Sequence, residues 1–176
     1  VRQLTAACRD DLGQFVHWGS TTQAVMDTGL VLQIRDTLIH FEDGLKQLAL
    51  VLADLAEHHR DTLMVARTFG GHALPFTFGA KVARWLSSTC RHLERLEQLR
   101  SRVLVGEFGG AVGTLASFGE HGTEIRKRVL SKLNLAEPLA VWHAARDSIA
   151  ECATFMGLVA STLGKIGHDI TTLCTS

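Results

Sequence analysis

Eight apolar residues, Leu30, Ile34, Leu38, Phe41, Leu45, Leu48, Leu52 and Leu55, follow one another in steps of four and three. That spacing puts every one of them on a single face of an α-helix. It predicts one helix from about Thr22 to His58, which at 1.5 Å per residue is roughly 55 Å long. Such a helix outruns the width of a small globule, so its apolar face is expected to be buried in an elongated, all-α bundle of long helices. A second helix is predicted from Pro75, a residue suited to a first helical turn because it needs no N–H donor there. Its stripe is Val82, Trp85, Leu86, Leu93, Leu96 and Val103. A third spans about Glu120 to Leu133 and stops near Asn134. The last runs from about Arg146 to Leu173 with Ile149, Cys152, Met156, Val159, Leu163, Ile166, Ile170 and Leu173 on one face. Repeats of three and four favour shallow crossings between helices. Strict apolar–polar alternation is hard to find, so no strands are expected.

Two segments break the helical pattern: ARTFGGHAL (66–74) and GEFGGAVGTLASFG (106–119). In a bundle of long apolar helices, chemistry is expected at corners of this kind. The 18 basic and 18 acidic side chains cancel, and no block of like charge points to nucleic acid or a membrane surface. No apolar run reads as a bilayer span and no signal peptide is evident. Cys8, Cys90, Cys152 and Cys174 form no CxxC pair; they read as small core residues in a reducing compartment. Neither a Walker loop nor HExxH, GxSxG or GxGxxG occurs, so cofactor chemistry has no support in the sequence. The chain begins at Val1 and stops just after a strong helical pattern, and is expected to be part of a longer protein.

The stretch VHWGSTTQAVMDTGL (16–30) concentrates polar groups at the start of the longest helix. Ser20 and Gln23 have the spacing of a capping box, a purely structural device. The same geometry leaves free N–H groups and the positive end of a helix to attract an anion. Thr21 and Thr22 add hydroxyls beyond what a cap requires, so a carboxylate cradle competes with capping. His17, three residues earlier, is either a structural histidine or a proton carrier beside that cradle. Asp27 and Thr28 read as a solvated or helix-stabilising pair. Arg67 can clamp a carboxylate at two points, with Thr68 and His72 beside it, or be a surface arginine in a loop. The glycines of 106–119 form either an anion nest or a tight helix crossing. Of Trp142, His143, Arg146 and Asp147, the last suits a helix start, whereas Arg146 is unfavourable there and implies an anionic partner.

Four blocks in order, VHWGSTTQAVMDT, RTFGGHALPFTFGAKVARW, EFGGAVGTLASFG and VWHAARDSIAE, together resemble the fumarase/aspartase superfamily. The Trp-His-x-x-Arg-Asp wording of the fourth resembles its 3-carboxy-cis,cis-muconate cycloisomerase branch more than its adenylosuccinate lyases. The resemblance implies a tetrameric helical core whose active sites lie where three subunits meet. Residues 1–20 would end an amino-terminal region and carry the first active-site loop, and 21–176 would be part of the central helical domain. It implies addition to, or elimination from, a C=C bond beside a carboxylate, on a small polycarboxylate, in the cytoplasm, with no metal and no organic cofactor. By position, His17 would be catalytic; Thr21, Thr22, Gln23, Arg67, Thr68, His72 and Arg146 would bind substrate. Ala24 stands where an aspartate is common, and Phe69 where most members have a histidine. The superfamily's serine-bearing loop would follow the last helix, beyond this chain, so the piece alone is expected to be inactive. Two alternatives follow: an adenylosuccinate lyase-like C–N lyase, or a catalytically degenerate module that keeps only oligomer packing. Helices this long and apolar are expected to be unstable as a monomer.

Overall fold

A computed structural model describes residues 1–175 of the chain. Among the described residues, five α-helices follow one another: α1 (Arg2–Ala7), α2 (Thr22–His58), α3 (Phe78–Val103), α4 (Gly122–Lys132) and α5 (Asp147–Leu173). The helical fold class is as expected, and α2 has the predicted bounds. One expectation fails. A two-stranded antiparallel hairpin, β1 (Leu63–Thr68) and β2 (Gly71–Thr77), occupies the segment read as an irregular corner, and α3 begins at Phe78 rather than Pro75. The two-residue tip, Phe69 and Gly70, has positive φ at both positions, +50° and +78°. That is the twist a tight hairpin needs. Leu63 and Leu74 stay exposed, so neither hairpin face is regularly buried, and a strand without a buried face has no alternation to reveal it. Pro75 lies inside β2, opposite Val65, beside a register shift between Val65 and Arg67. An edge strand next to an irregularity accepts a residue with no N–H.

The chain divides into two compact units. The first comprises Val1–Asp36 and Ser101–Ser148. Its core includes Ala24, Val31, Val103, Leu115, Leu130 and Leu135. α4 ends as its sequence suggests. Asn134 takes a left-handed φ of +53°, Leu135 N–H donates to Leu130 O at 3.0 Å, and Asn134 N–H donates to Ser131 O at 3.1 Å. This is the Schellman arrangement. The Arg35 guanidinium adds a 2.8 Å hydrogen bond to Leu133 O at the same end. A parallel bridge, Val105 to Ala136, ties the glycine-rich segment to the chain that follows α4.

The second unit comprises Thr37–Arg100 and Ile149–Ser176. Leu52, Val82 and Trp85 form a buried cluster, with Leu48, Leu55, Phe78, Leu86 and Ile166 packed around it. Trp85 is satisfied as well as buried, because its Nε1–H donates to Asp169 at 2.7 Å. Burial alone would raise the Asp169 carboxyl, but hydrogen bonds from Lys165, Trp85 and Lys81 outweigh it and hold the group below the usual carboxylate range. His92 is buried on α3 and lies 2.8 Å from the Thr162 hydroxyl on α5. Burial, reinforced by Arg95 and Arg91, lowers its pKa below the ordinary histidine value.

Two further expectations change. Only Cys152 is a buried cysteine; Cys8 is half-buried, and Cys90 and Cys174 are exposed. By length and composition alone α5 is long and apolar enough to cross a bilayer, contrary to the reading that no run is. In the second unit it buries Cys152, Phe155 and Val159 and carries the Asp169 ion cluster.

Candidate active site

The first unit gathers the amino-terminal approach to α2 around His17. The residue sits in left-handed backbone at φ +67°, and Gly19 follows at φ +67°. Two such residues within three fold the approach to α2 back on itself. The imidazole comes to lie 3.4 Å (Nδ1) from the Ser20 hydroxyl and 3.5 Å (Nε2) from the Thr22 hydroxyl. A neutral imidazole donates from one nitrogen and accepts at the other, and a hydroxyl does either, so both contacts are satisfied in either tautomer. Gly19 has no substitute here. A Cβ on it would lie 2.5 Å from the Phe118 ring, and one on Gly110 would lie 3.1 Å from Gly19 O. The glycine-rich segment thus presses against the His17 loop.

The helix start differs from a Ser20–Gln23 capping box. α2 begins at Thr22, Thr21 is the residue before it, and Thr21 O accepts the Val25 N–H. Ser20 Oγ turns back to His17 instead. Thr22 and Gln23 are exposed and Thr21 half-buried, so the first turn of α2 is open to a ligand. Beside it lies a cleft of about 550 Å³ lined by His17, Ser20, Phe15, Trp18, Phe118 and His121. It has an apolar floor with an imidazole and hydroxyls at the rim, which is the usual composition of a small-molecule site.

A second cluster in the same unit surrounds Arg146. Its anionic partner is Asp27, 2.8 Å away, and the indole of Trp142 lies 5.5 Å from the guanidinium. Asp27 is only 3% exposed and Thr28 only 8%, so the solvated-pair reading is wrong. The signal was there: Asp27 and Thr28 fall on the buried stripe of Ala24, Val31, Ile34 and Leu38. Thr28 Oγ1–H donates to Glu107 O at 2.7 Å, and Glu107 N–H donates to Thr28 Oγ1 at 2.9 Å. One threonine therefore satisfies both backbone groups of a buried residue in the glycine-rich segment. Glu107 itself, 1% exposed, accepts the Trp142 N–H at 2.6 Å through Oε2, while its Oε1 lies 3.6 Å from His143 Nδ1. Asp27 and Glu107 did not emerge as site residues from the sequence, although a lone acid in the apolar run VLVGEFGG is an unusual residue to bury.

The glycines of that segment serve close packing. Side-chain atoms of Val141 would lie 2.2 Å and 2.5 Å from a Cβ on Gly109 and Gly113. Ala24, which stands where an aspartate is common in the superfamily, is 1% exposed and fills the core.

Arg67, Thr68 and His72 belong to the second unit, on its hairpin. Arg67 and His72 are cross-strand partners. The Arg67 guanidinium reaches Gly70 O and Thr175 O, each at 3.4 Å. Thr68 and His72 are exposed, and Phe69 projects fully at the tip.

A sequence profile of the family described as lyase matches residues 4–176. A 3-carboxy-cis,cis-muconate cycloisomerase of Pseudomonas aeruginosa is 48% identical over 91% of this chain and 35% of its own length. An N-acetyl-S-(2-succino)cysteine lyase of Enterococcus italicus is 44% identical over 96% of this chain and 37% of its own. The crystal structure of a fumarate lyase from Mesorhizobium sp. BNC1, 47% identical, superposes with a TM-score of 0.95 over 99% of this chain and 41% of that one. The chain therefore spans between a third and about two fifths of the length of these relatives. With matches of this extent, the chain belongs to the lyase family of the fumarase/aspartase superfamily.

Proposed function

We propose that the whole protein to which this chain contributes closes 3-carboxy-cis,cis-muconate to its carboxymuconolactone. In this reaction a carboxylate of the substrate adds across a C=C bond of the same molecule. The carbon beside a second carboxylate takes up a proton. The observation that carries the reading is the His17 cradle: an imidazole between two hydroxyls at the open start of a 37-residue helix, beside an apolar cleft. A helix start attracts a carboxylate through its free N–H groups and dipole. Thr21, Thr22 and Gln23 would hold that carboxylate, and His17 would hydrogen-bond it or move its proton. Arg146 would meet a second carboxylate with the edge of its guanidinium that Asp27 leaves open; its side chain is 42% exposed. Arg67, Thr68 and His72 would act from the hairpin, in a site assembled between copies of a cytoplasmic homotetramer.

Elimination from a succinyl group, on nitrogen or sulfur, is the second reading. The 44% identity to a succinocysteine lyase favours it, and adenylosuccinate is the nitrogen counterpart. Both readings share the double bond and its flanking carboxylates. The test is to incubate the full-length protein separately with carboxymuconate, adenylosuccinate and N-acetyl-S-(2-succino)cysteine. Lactone from the first alone supports the proposal. Fumarate from either of the others, with no lactone, replaces it with the lyase reading. The 176-residue chain alone is expected to turn over none of them.

A further inference from the structure

Among the described residues, four side-chain atoms in the first unit are buried without a hydrogen-bond partner: Asp27 Oδ2, Arg126 Nε, Glu107 Oε1 and His143 Nδ1. The last two face each other at 3.6 Å. A buried carboxylate without a cation or donor is costly, as is a buried ring nitrogen with nothing to bond. One proton placed between Glu107 Oε1 and His143 Nδ1 satisfies both atoms. The other polar groups of Glu107 are accounted for. Glu107 Oε2 takes the Trp142 N–H, its backbone is held by Thr28, and the nearby ion pair is Asp27 with Arg146.

We propose that Glu107 and His143 form a carboxylate–imidazole pair in which Glu107 holds the Nδ1 proton and leaves Nε2 as the nitrogen that carries a proton to and from substrate. This rests on the lyase reading above. Glu107 is the positioning residue: by accepting Nδ1–H it selects the tautomer and fixes the ring. In the closing direction, the new C–O bond forms and the π pair moves to the carbon beside the second carboxylate. That carbon then takes the proton from Nε2 of a protonated His143, the C–H bond forming as N–H breaks. The neutral Nδ1–H ring regains its proton from water. In the reverse direction Nε2 takes the proton. The pair supplies proton transfer in a chain whose hairpin tip, Phe69, cannot.

The tautomer can be read without turnover. Nitrogen-15 NMR of the 176-residue chain, with the His143 signal assigned by its loss in His143→Asn, should show neutral His143 protonated at Nδ1. Free imidazole side chains in water prefer the Nε2–H form. Glu107→Gln should move the population towards Nε2–H. An Nε2–H ring in the unsubstituted chain overturns the pair and needs no variant to fold; an unchanged tautomer in Glu107→Gln overturns Glu107's part in it. In the full-length protein, Glu107→Gln should lower kcat by at least tenfold with KM retained and displace the pH profile. A loss of stability alone would leave that profile in place, and an undisplaced profile overturns the catalytic role. An Nδ1–H ring in a protein that turns over none of the three substrates would retain the pair and sink the functional reading instead.

Discussion

Thr28 shows how one side chain can hold a loop in place. Its hydroxyl both donates to and accepts from the backbone of Glu107, 79 residues away in sequence. Thr28→Val keeps the shape and removes the hydroxyl, leaving a buried N–H and C=O unpaired. Each such group costs about 1–3 kcal/mol, so the variant should lose about 2–6 kcal/mol in denaturant unfolding. Thr28→Ser should lose far less, and equal losses would contradict the hydrogen-bond account. That Thr28 is buried was legible from the stripe it shares with Ala24, Val31 and Leu38, but its partner was not, because nothing local marks a backbone 79 residues away. What was legible at this scale were residues acting on their own neighbours, such as Asn134 as a helix stop and Arg146 as a cation in need of an anion. His17 was legible as a candidate because its partners, Ser20 and Thr22, lie within five residues. Glu107 and His143 were not paired in the sequence, since 35 intervening residues separate their contact.

Helices were read well because their burial repeats every three to four residues, and a stripe of eight apolar residues leaves few alternatives for α2. The hairpin was missed because its burial does not alternate and its turn is made by Phe-Gly instead of Asn-Gly. Phe69 pays for that choice with left-handed backbone at φ +50°, and its ring is fully exposed. Asn tolerates this conformation, so Phe69→Asn should stabilise the chain by about 1 kcal/mol in the same unfolding measurement. A loss of stability would mean the ring makes a contact that matters. α3 and α5 carry a pH dependence through His92. Its folded pKa is depressed below 6.5, so between the folded value and 6.5 the unfolded chain binds more protons than the folded one. The sign follows: stability rises with pH through that window and falls as pH drops below about 6.5. Unfolding midpoints measured from pH 5 to 7.5 should show this slope, and His92→Gln should flatten it. A slope unchanged by the substitution would place its origin elsewhere.

At the scale of the whole molecule, apolar side chains remain exposed on the long helices. Val25, Met26, Leu50 and Val51 are more than half exposed on α2, and Leu158, Leu163 and Ile170 are close to half exposed on α5. Scattered exposed apolar residues are ordinary, but a run of them on long helices favours burial against further protein. Sedimentation of the 176-residue chain should therefore show self-association, and a well-folded monomer alone would count against a tetrameric core. Fold and family were legible because four motifs lie in order along a helical framework. The substrate was not, because the same framework serves relatives named for different reactions at similar identity. The central claim is that His17 and its hydroxyls form part of a site for carboxylate-flanked double bonds. It is tested most directly by kcat/KM for lactone formation from carboxymuconate by the full-length protein and its His17→Gln variant. The account predicts lactone from the unsubstituted protein and a loss of about 10²–10⁴-fold in the variant, the usual contribution of a positioned acid or base. Equal rates for the two proteins would contradict it.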